Sequence, residues 1–315
     1  MRVESGVSGK QESDNLQGRI IRGVGGFYYV HVPERGIYEC RARGIFRKEK
    51  IKPLVGDCVQ IHVTDPKDME GSLDEILPRK NLLIRPASSN VDQAMVVFAA
   101  AKPDPNLNLL DRFLINMKKQ DIPVLICFNK TDLVSEDECR ALQAVYAGSG
   151  HEVLAVSAVT GDGLEMLARR LKGKTTVVAG PSGVGKSSLT NRLSGEEDQI
   201  MEVGEISRKI GRGRHTTRHT QLFYMGHIGP ETYFLDTPGF SSLEVFDVKS
   251  RELAGFYEEF APYTGQCRFL SCMHISEPDC AVKEALEEGR FSGIRYENYV
   301  QLAGELKKKE DMRYR

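Results

Sequence analysis

At 315 residues, with 40% hydrophobic and 28% charged content, the chain can bury a sizeable core and is long enough for two or three domains. Its formal net charge of -1 creates no global field for a polyanion, so any nucleic-acid surface has to be local. Seven scattered cysteines, an odd number, do not look like a disulfide scaffold and suggest a reducing compartment. No apolar run reaches the ~20 residues that span a bilayer, and Met1 to Gln17 lacks the apolar segment of a secretory signal. The expectation is a cytoplasmic protein without membrane contact.

Residues 1–16, rich in Ser, Gly, Gln and Asp, predict a disordered leader. From there to residue 80 the texture is short strand-like runs: Arg19 to Val24, Phe27 to Val32, Gly36 to Ala42, Asp57 to Val63 and Gly71 to Leu77. This is the spacing of a small barrel of the oligonucleotide-binding type. The cations Arg41, Arg43, Arg47, Lys48, Lys50 and Lys52, interleaved with Phe27, Tyr28, Tyr29, Tyr38 and Phe46, form its candidate RNA surface. The plain alternative leaves the rings in the core and the charges in water. Pro78 to Asn90 reads as the connection to the next domain, placed over 81–245.

That domain opens on Val91 to Ala101, an apolar run of the parallel-sheet kind, then a helical pattern over Leu107 to Lys119 and a strand over Pro123 to Phe128. Directly after it stands Asn129-Lys130-Thr131-Asp132. A carboxylate at Asp132 can accept the N1 and N2 hydrogens of guanine, a pair adenine does not offer, while Asn129 and the stem of Lys130 hold the loop and cover the base. Ser135 to Ala147 reads as a helix and Val153 to Val156 as a strand running into Ser157-Ala158, whose small side chains let the backbone approach the base edge. A further helix is expected within Gly161 to Leu171.

Thr175 to Ala179 reads as a strand, and Gly180-Pro181-Ser182-Gly183-Val184-Gly185-Lys186-Ser187 fits the phosphate-binding loop at every fixed position, with Ser188 opening a helix. Glycines let the backbone N–H groups face a polyphosphate, and the helix N-terminus favours negative charge. Lys186 is then placed to neutralise the outer phosphates and Ser187 to ligate Mg²⁺. The glycine-rich basic run Arg208 to Thr220 reads as a nucleotide-sensing loop, with Thr217 the favoured ligand to Mg²⁺ and the terminal phosphate. Gln221 to Met225 and Thr232 to Leu235 read as neighbouring strands, the second delivering Asp236-Thr237-Pro238-Gly239. Asp236 is suited to hold water on the Mg²⁺ shell and the Gly239 N–H to bond the γ-phosphate.

In residues 246–315, Val248 to Phe260 reads as a helix, followed by Cys267, Cys272, His274 and Cys280. Three thiolates and an imidazole within so short a segment suit one structural Zn²⁺ with no open position. Ala281 to Glu288 and Tyr296 to Arg315 read as helical, the tail carrying Lys307, Lys308 and Lys309.

Asn129 to Asp132, Gly180 to Ser187, Thr217 and Asp236 to Gly239 together resemble a GTPase. Because the guanine motif precedes the phosphate loop, the order resembles that of the circularly permuted GTPases. With the barrel and the zinc spacing, the chain is similar to the bacterial small-ribosomal-subunit biogenesis GTPase family from about residue 17 onward. The resemblance implies an α/β fold: a circularly permuted P-loop GTPase domain, preceded by an oligonucleotide-binding barrel and followed by a mostly helical zinc-binding domain. It implies a monomer that hydrolyses GTP to GDP, slow alone and stimulated by the small ribosomal subunit. The implied role is late maturation of that subunit and release of a ribosome-binding factor, with rRNA as a partner and no DNA. A free-standing P-loop NTPase or nucleotide-dependent switch in RNA metabolism is the competing reading. One position departs from the regulatory GTPase pattern: Phe240 stands where a glutamine orients water, so a partner or another group, with His215 a candidate, must supply that function.

Overall fold

The computed structural model describes residues 15–48, 51–84, 87–194, 220–236 and 247–313, the side chains of Ile45, Arg47, Asp236 and Arg313 excepted. It divides into two compact units, Met1–Asn90 with His219–Leu222 and Val91–Arg218 with Phe223–Arg315.

The first unit is a closed five-stranded barrel in the order β1-β2-β3-β5-β4. Its strands are β1 (Asn15–Val24), β2 (Phe27–Val32), β3 (Gly36–Ala42), β4 (Cys58–Asp65) and β5 (Glu70–Ile76). A two-residue turn joins β1 to β2, and Gly25 and Gly26 supply the positive φ values, 61° and 88°, that its twist requires. Alternation then sends Ile20, Val30, Tyr38, Cys40, Val59, Ile61 and Leu73 inward to one core. A five-residue helix, α1 (Gly44–Lys48), bridges β3 and β4.

Two expectations change here. Asn15 and Leu16, read as leader, open β1 and pair with His62 and Ile61 of β4, because Leu16 packs on the barrel core; residues 1–14 lie outside the described residues. Tyr29, Tyr38 and Phe46 are buried, so these rings cannot stack on bases. Tyr38 and Phe46 fill the core, while Tyr29 lies under the Arg22 guanidinium at 5.7 Å. What remains outward is Phe27 beneath Arg41 at 4.7 Å, with Lys48 and Lys52 exposed and Arg43 paired to Asp74 at 3.0 Å. Lys50 and the Arg47 side chain lie outside the described residues.

The stretch read as a connection is folded onto the barrel. Buried Asp57 accepts Arg79 Nε at 2.7 Å and Nη2 at 2.8 Å, Ser89 Oγ at 2.6 Å and the Leu54 N–H at 2.7 Å. A carboxylate with four donors is compensated for its burial. It clasps the short pair β6 (Leu82–Leu83) and β7 (Ser88–Ser89) to the barrel.

The second unit is built on a six-stranded sheet in the order β10-β9-β8-β11-β13-β12. These strands are β8 (Gln93–Ala99), β9 (Val124–Asn129), β10 (Glu152–Ala155), β11 (Thr175–Ala179), β12 (Gln221–Tyr224) and β13 (Tyr233–Asp236). Every residue of β8, β9 and β11 is buried, which is why these segments read as continuous apolar runs. The pairs β8/β9, β9/β10, β8/β11 and β11/β13 are parallel. Strands added after β8 run to one side and those after β11 to the other, so the crevice outside the carboxyl ends of β8 and β11 is the topological switch point, where such sheets take ligands. The helices are α2 (Leu107–Lys118), α3 (Glu136–Val145), α4 (Leu164–Leu171) and α5 (Lys186–Leu193).

In the C-terminal part, the helix expected over Val248 to Phe260 is instead two 3₁₀ turns, Ser250–Phe256 and Glu258–Phe260. Their i→i+3 bonds, Tyr257 N–H to Ala254 O and Phe260 N–H to Tyr257 O, bring Leu253, Tyr257 and Phe260 into one aromatic core with Phe291 and Tyr299. Two helices complete it, α6 (Ala281–Glu287) and α7 (Gly293–Arg313).

This core continues onto the GTPase sheet through α2, whose Ile115 belongs to it. At its centre the buried Arg295 of α7 donates Nε to Glu259 at 2.7 Å and Nη1 to Asp111 of α2, which also takes Asn298 Nδ2 at 2.8 Å and the Tyr146 hydroxyl at 3.1 Å. Burial pushes the Asp111 carboxyl above its ordinary range against the pull of Arg295. Nearer solvent, Arg112 meets Glu305 through Nη2 at 2.7 and 2.8 Å. Removing the central cation leaves two carboxylates facing each other in the dry interior. Arg295→Met is therefore expected to cost about 3–5 kcal/mol, measured as a lowered urea midpoint, whereas the more exposed Arg112→Met costs about 1 kcal/mol or less.

Candidate nucleotide and metal sites

The phosphate loop leaves β11 at the switch point. Gly180 has φ 139°, and a Cβ there would stand 2.1 Å from the Val97 carbonyl oxygen of β8, so only glycine lets the loop press against its neighbour strand. Gly185 has φ 89°, and its Cβ would meet Asn129 Nδ2 at 2.4 Å. The loop then delivers Lys186 and Ser187 as the first residues of α5. Lys186 Nζ donates to the Gly180 and Pro181 carbonyls at 2.9 and 2.6 Å, which folds the ammonium back over the loop. Pro181, Ser182 and Gly183 form the outer turn, and Val184 is buried in the sheet core. Ser188 follows within the first turn of α5.

Asn129, at the end of β9 and 1% exposed, is the joint of the site. Its Nδ2 donates to the Val184 carbonyl of the phosphate loop at 2.9 Å, and its Oδ1 accepts the Ala158 N–H at 3.1 Å. Lys130 adopts φ 63°, and its Nζ reaches back to the carbonyls of Gly183 at 2.7 Å and of Lys102. That path stretches its aliphatic stem between the guanine motif and the phosphate loop. Asp132 is exposed, and its Oδ1 accepts Ser157 Oγ at 2.6 Å; the same hydroxyl oxygen accepts the N–H groups of Val159 and Thr160 at 3.2 and 3.1 Å. The carboxylate is thereby aimed, with acceptor sites on both oxygens left for a base. The orienting role of Ser157, the anchoring of Lys130 and the Val97 contact were not read from the sequence. A serine paired with alanine announced only small size, and the partners are brought together by β-strand order.

Thr217, Gly239, Phe240 and His215 lie outside the described residues; Asp236 ends β13 beside β11, but its side chain is outside them too.

The four zinc candidates converge, their ligand atoms all within 4.8 Å of one another. His274 Nδ1 is 3.5 Å from Cys267 Sγ and 3.4 Å from Cys280 Sγ, and those sulfurs are 3.8 Å apart. A tetrahedral ion with Zn–S of about 2.3 Å and Zn–N of about 2.0–2.1 Å has S···S edges of about 3.8 Å and S···N edges of about 3.5 Å, so the residues fit that metal. The knuckle is braced by Glu277, which accepts the N–H groups of Met273, Ile275 and Ser276 at 2.8, 3.0 and 3.1 Å, and by the Tyr296 and Tyr299 hydroxyls on the carbonyls of His274 and Met273.

The model of the RsgA GTPase family matches residues 76–246 and that of the RsgA N-terminal domain residues 17–70. The chain belongs to the RsgA GTPase family. The small ribosomal subunit biogenesis GTPase RsgA of Agathobacter rectalis is 51% identical over 305 residues, covering 94% of this chain and 99% of its own. Its counterpart in Alkaliphilus metalliredigens is 49% identical over 292 residues, covering 93% and 98%. Among solved structures, YjeQ from Thermotoga maritima aligns with a TM-score of 0.75 at 36% identity, covering 93% of this chain and 98% of its own. YloQ, described as a circularly permuted GTPase, aligns at 0.74 and 38%, covering 96% and 99%. The chain is thus a GTP-binding hydrolase of ribosome biogenesis, with a barrel, a circularly permuted GTPase core and a C-terminal Cys/His cluster.

Two outcomes test the site. Asn129→Ala strands the Val184 carbonyl and the Ala158 N–H, and it is expected to weaken GDP binding by about tenfold to a hundredfold in calorimetry with the fold intact. Glu277→Ala removes the brace of the knuckle, and it is expected to speed metal loss to a chelator at least about tenfold, read by a colorimetric zinc indicator.

Proposed function

We propose that the protein hydrolyses GTP slowly by itself, is stimulated by the small ribosomal subunit, and acts late in maturation of that subunit, where hydrolysis accompanies release of a ribosome-binding factor. The observation that carries the guanine part is Asp132 held by Ser157, whose single hydrogen bond to Oδ1 aims the carboxylate and leaves acceptor sites on both oxygens for N1 and N2. The partner rests on the names of the relatives, which describe small ribosomal subunit biogenesis GTPases.

In this reading Asn129, Lys130, Asp132, Ser157 and Ala158 bind the base, and Gly180 to Ser188 the phosphates. Lys186 already lies over the loop on two carbonyls, so it meets phosphate oxygens by a short swing rather than from free rotation. Ser187 and Thr217 would hold Mg²⁺, which supplies charge neutralisation at the β- and γ-phosphates. Asp236 would hold a water of that ion's shell and Gly239 the γ-phosphate. Cys267, Cys272, His274 and Cys280 would hold one structural Zn²⁺ that pins the knuckle. Phe240 can neither donate nor accept the bond that orients water, which accounts for slow turnover and leaves that task to a partner. The exposed cations Lys48, Lys52, Lys307 and Lys308 fit rRNA phosphates. A cytoplasmic monomer without DNA or membrane contact completes the reading; among the described residues no helix is long and apolar enough to cross a membrane.

Turnover without particles is expected below about 1 s⁻¹, the low edge of ordinary enzymes, and to rise at least about tenfold with small subunits but not with large subunits or free RNA. Steady-state phosphate release with each particle, at two salt concentrations, reads this. An equal response to both subunits would move the assignment to a free-standing NTPase.

A further inference from the structure

Large apolar side chains stand exposed at the guanine end of the GTPase unit: Leu133 at 45%, Val159 at 75% and Met166 at 55%. Leu133 directly follows the base-reading Asp132, and Val159 directly follows Ala158. The two loops are tied at the Asp132–Ser157 bond of 2.6 Å, and the Val159 N–H bonds to the same Ser157 oxygen, so the two side chains flank one short seam. Met166 lies on the first turn of α4, which continues the Val159 loop. Beside the seam a cavity of about 280 Å³ opens between the loops, and most of its lining residues are polar: the carboxylates Asp132, Glu136 and Asp162 and the hydroxyl-bearing Thr131, Ser135 and Thr160, with Val134, Cys139 and Ala155. Neither the chemistry of GTP nor the fold needs these side chains in water, and apolar surface gathered at one rim marks a contact site.

The charge around the rim chooses its occupant. Residues 131–139 and 157–166 hold six carboxylates and no Lys or Arg, in a chain whose net charge is only -1. Arg140 and Arg169 lie just beyond and pair with Glu136, Asp137 and Glu165, but all of these groups are exposed and the pairs weak. A surface of this sign repels RNA phosphate and attracts a cationic chain.

We propose that the Leu133/Val159 seam is a docking site for a basic, aliphatic-rich protein segment on the ribosomal particle, and that its occupation controls nucleotide release. Aliphatic side chains of the segment cover Leu133 and Val159, while a Lys or Arg enters the acidic cavity at Glu136 and Asp162 and others meet Asp137. Because the seam joins the two loops that grip the base, an occupant that parts them lowers the affinity for GDP without touching the phosphates. The particle that accepts the enzyme thereby also reloads it. This rests on the ribosomal reading given above.

The test uses the full-length protein loaded with a fluorescent GDP analogue, with release followed in excess GTP with and without small subunits. Small subunits are expected to speed release at least about tenfold. Leu133→Ser/Val159→Ser and Glu136→Lys/Asp137→Lys are expected to keep unstimulated release and hydrolysis within about twofold and to lose the acceleration. A photo-crosslinking residue in place of Val159 is expected to capture a basic ribosomal protein. Capture of rRNA, or full acceleration in both double variants, overturns the proposal. Failure of the unaltered protein to co-sediment with small subunits would instead sink the ribosomal reading itself, and the two failures are separable.

Discussion

Asn129 holds the catalytic domain together at the place where it must be both rigid and empty enough for a nucleotide. It sits at the carboxyl end of β9, and its two amide bonds tie the phosphate loop after β11 to the Ser157-Ala158 loop after β10. Three loops that are distant in the chain become one surface through a single buried side chain. An unsatisfied amide in that position would cost about 1–3 kcal/mol, which is comparable to the whole discrimination a pocket can offer between similar ligands. Gly180 and Gly185 follow from the same constraint, because the joint works only if the phosphate loop can lie against the Val97 carbonyl and against Asn129 itself. Circular permutation leaves this arrangement untouched, since strand order in space, not order in the chain, sets which loops meet.

The C-terminal part is fixed to the half of the sheet that carries β8, β9 and β10. Asp111, Arg295, Glu259, Asn298 and Tyr146 form a buried cluster between α2, α7 and the end of α3, with Arg295 stacked 5.1 Å from the Tyr146 ring and 4.5 Å from that of Tyr257. Such clusters contribute little net stability compared with an apolar core, but they penalise any other register of the two elements severely. The Cys/His knuckle and the guanine-side strands therefore behave as one body.

Strand and helix identities in both units were legible because the patterns are extreme: β8 and β9 are apolar throughout, and the barrel strands alternate between Gly-rich turns. The nucleotide motifs stood out in the sequence because Asn129 to Asp132 and Gly180 to Ser187 set particular residue types at fixed spacing after strand-like runs. Less legible was the direction of side chains in the barrel, where Tyr29, Tyr38 and Phe46 looked like a stacking surface but are buried. A period of two places a residue on a face, yet in a closed barrel only the register with the neighbour says which face is inside. The Val248 to Phe260 stretch misled for a related reason, since buried residues three and four apart satisfy both an α-helix and successive 3₁₀ turns. The long-range polar groups, Asp57 with Arg79 and Asp111 with Arg295, carried no local signal, because each acid and each base is separately ordinary until packing excludes water from both.

Net charge hides a division of labour that the fold makes explicit. The exposed cations of the barrel and of the last helix are suited to phosphate, whereas residues 131–139 and 157–166 at the guanine end carry six carboxylates, exposed Leu133 and Val159, and no Lys or Arg. Held to the same particle, these surfaces cannot address the same material: one is drawn to RNA and the other is repelled by it.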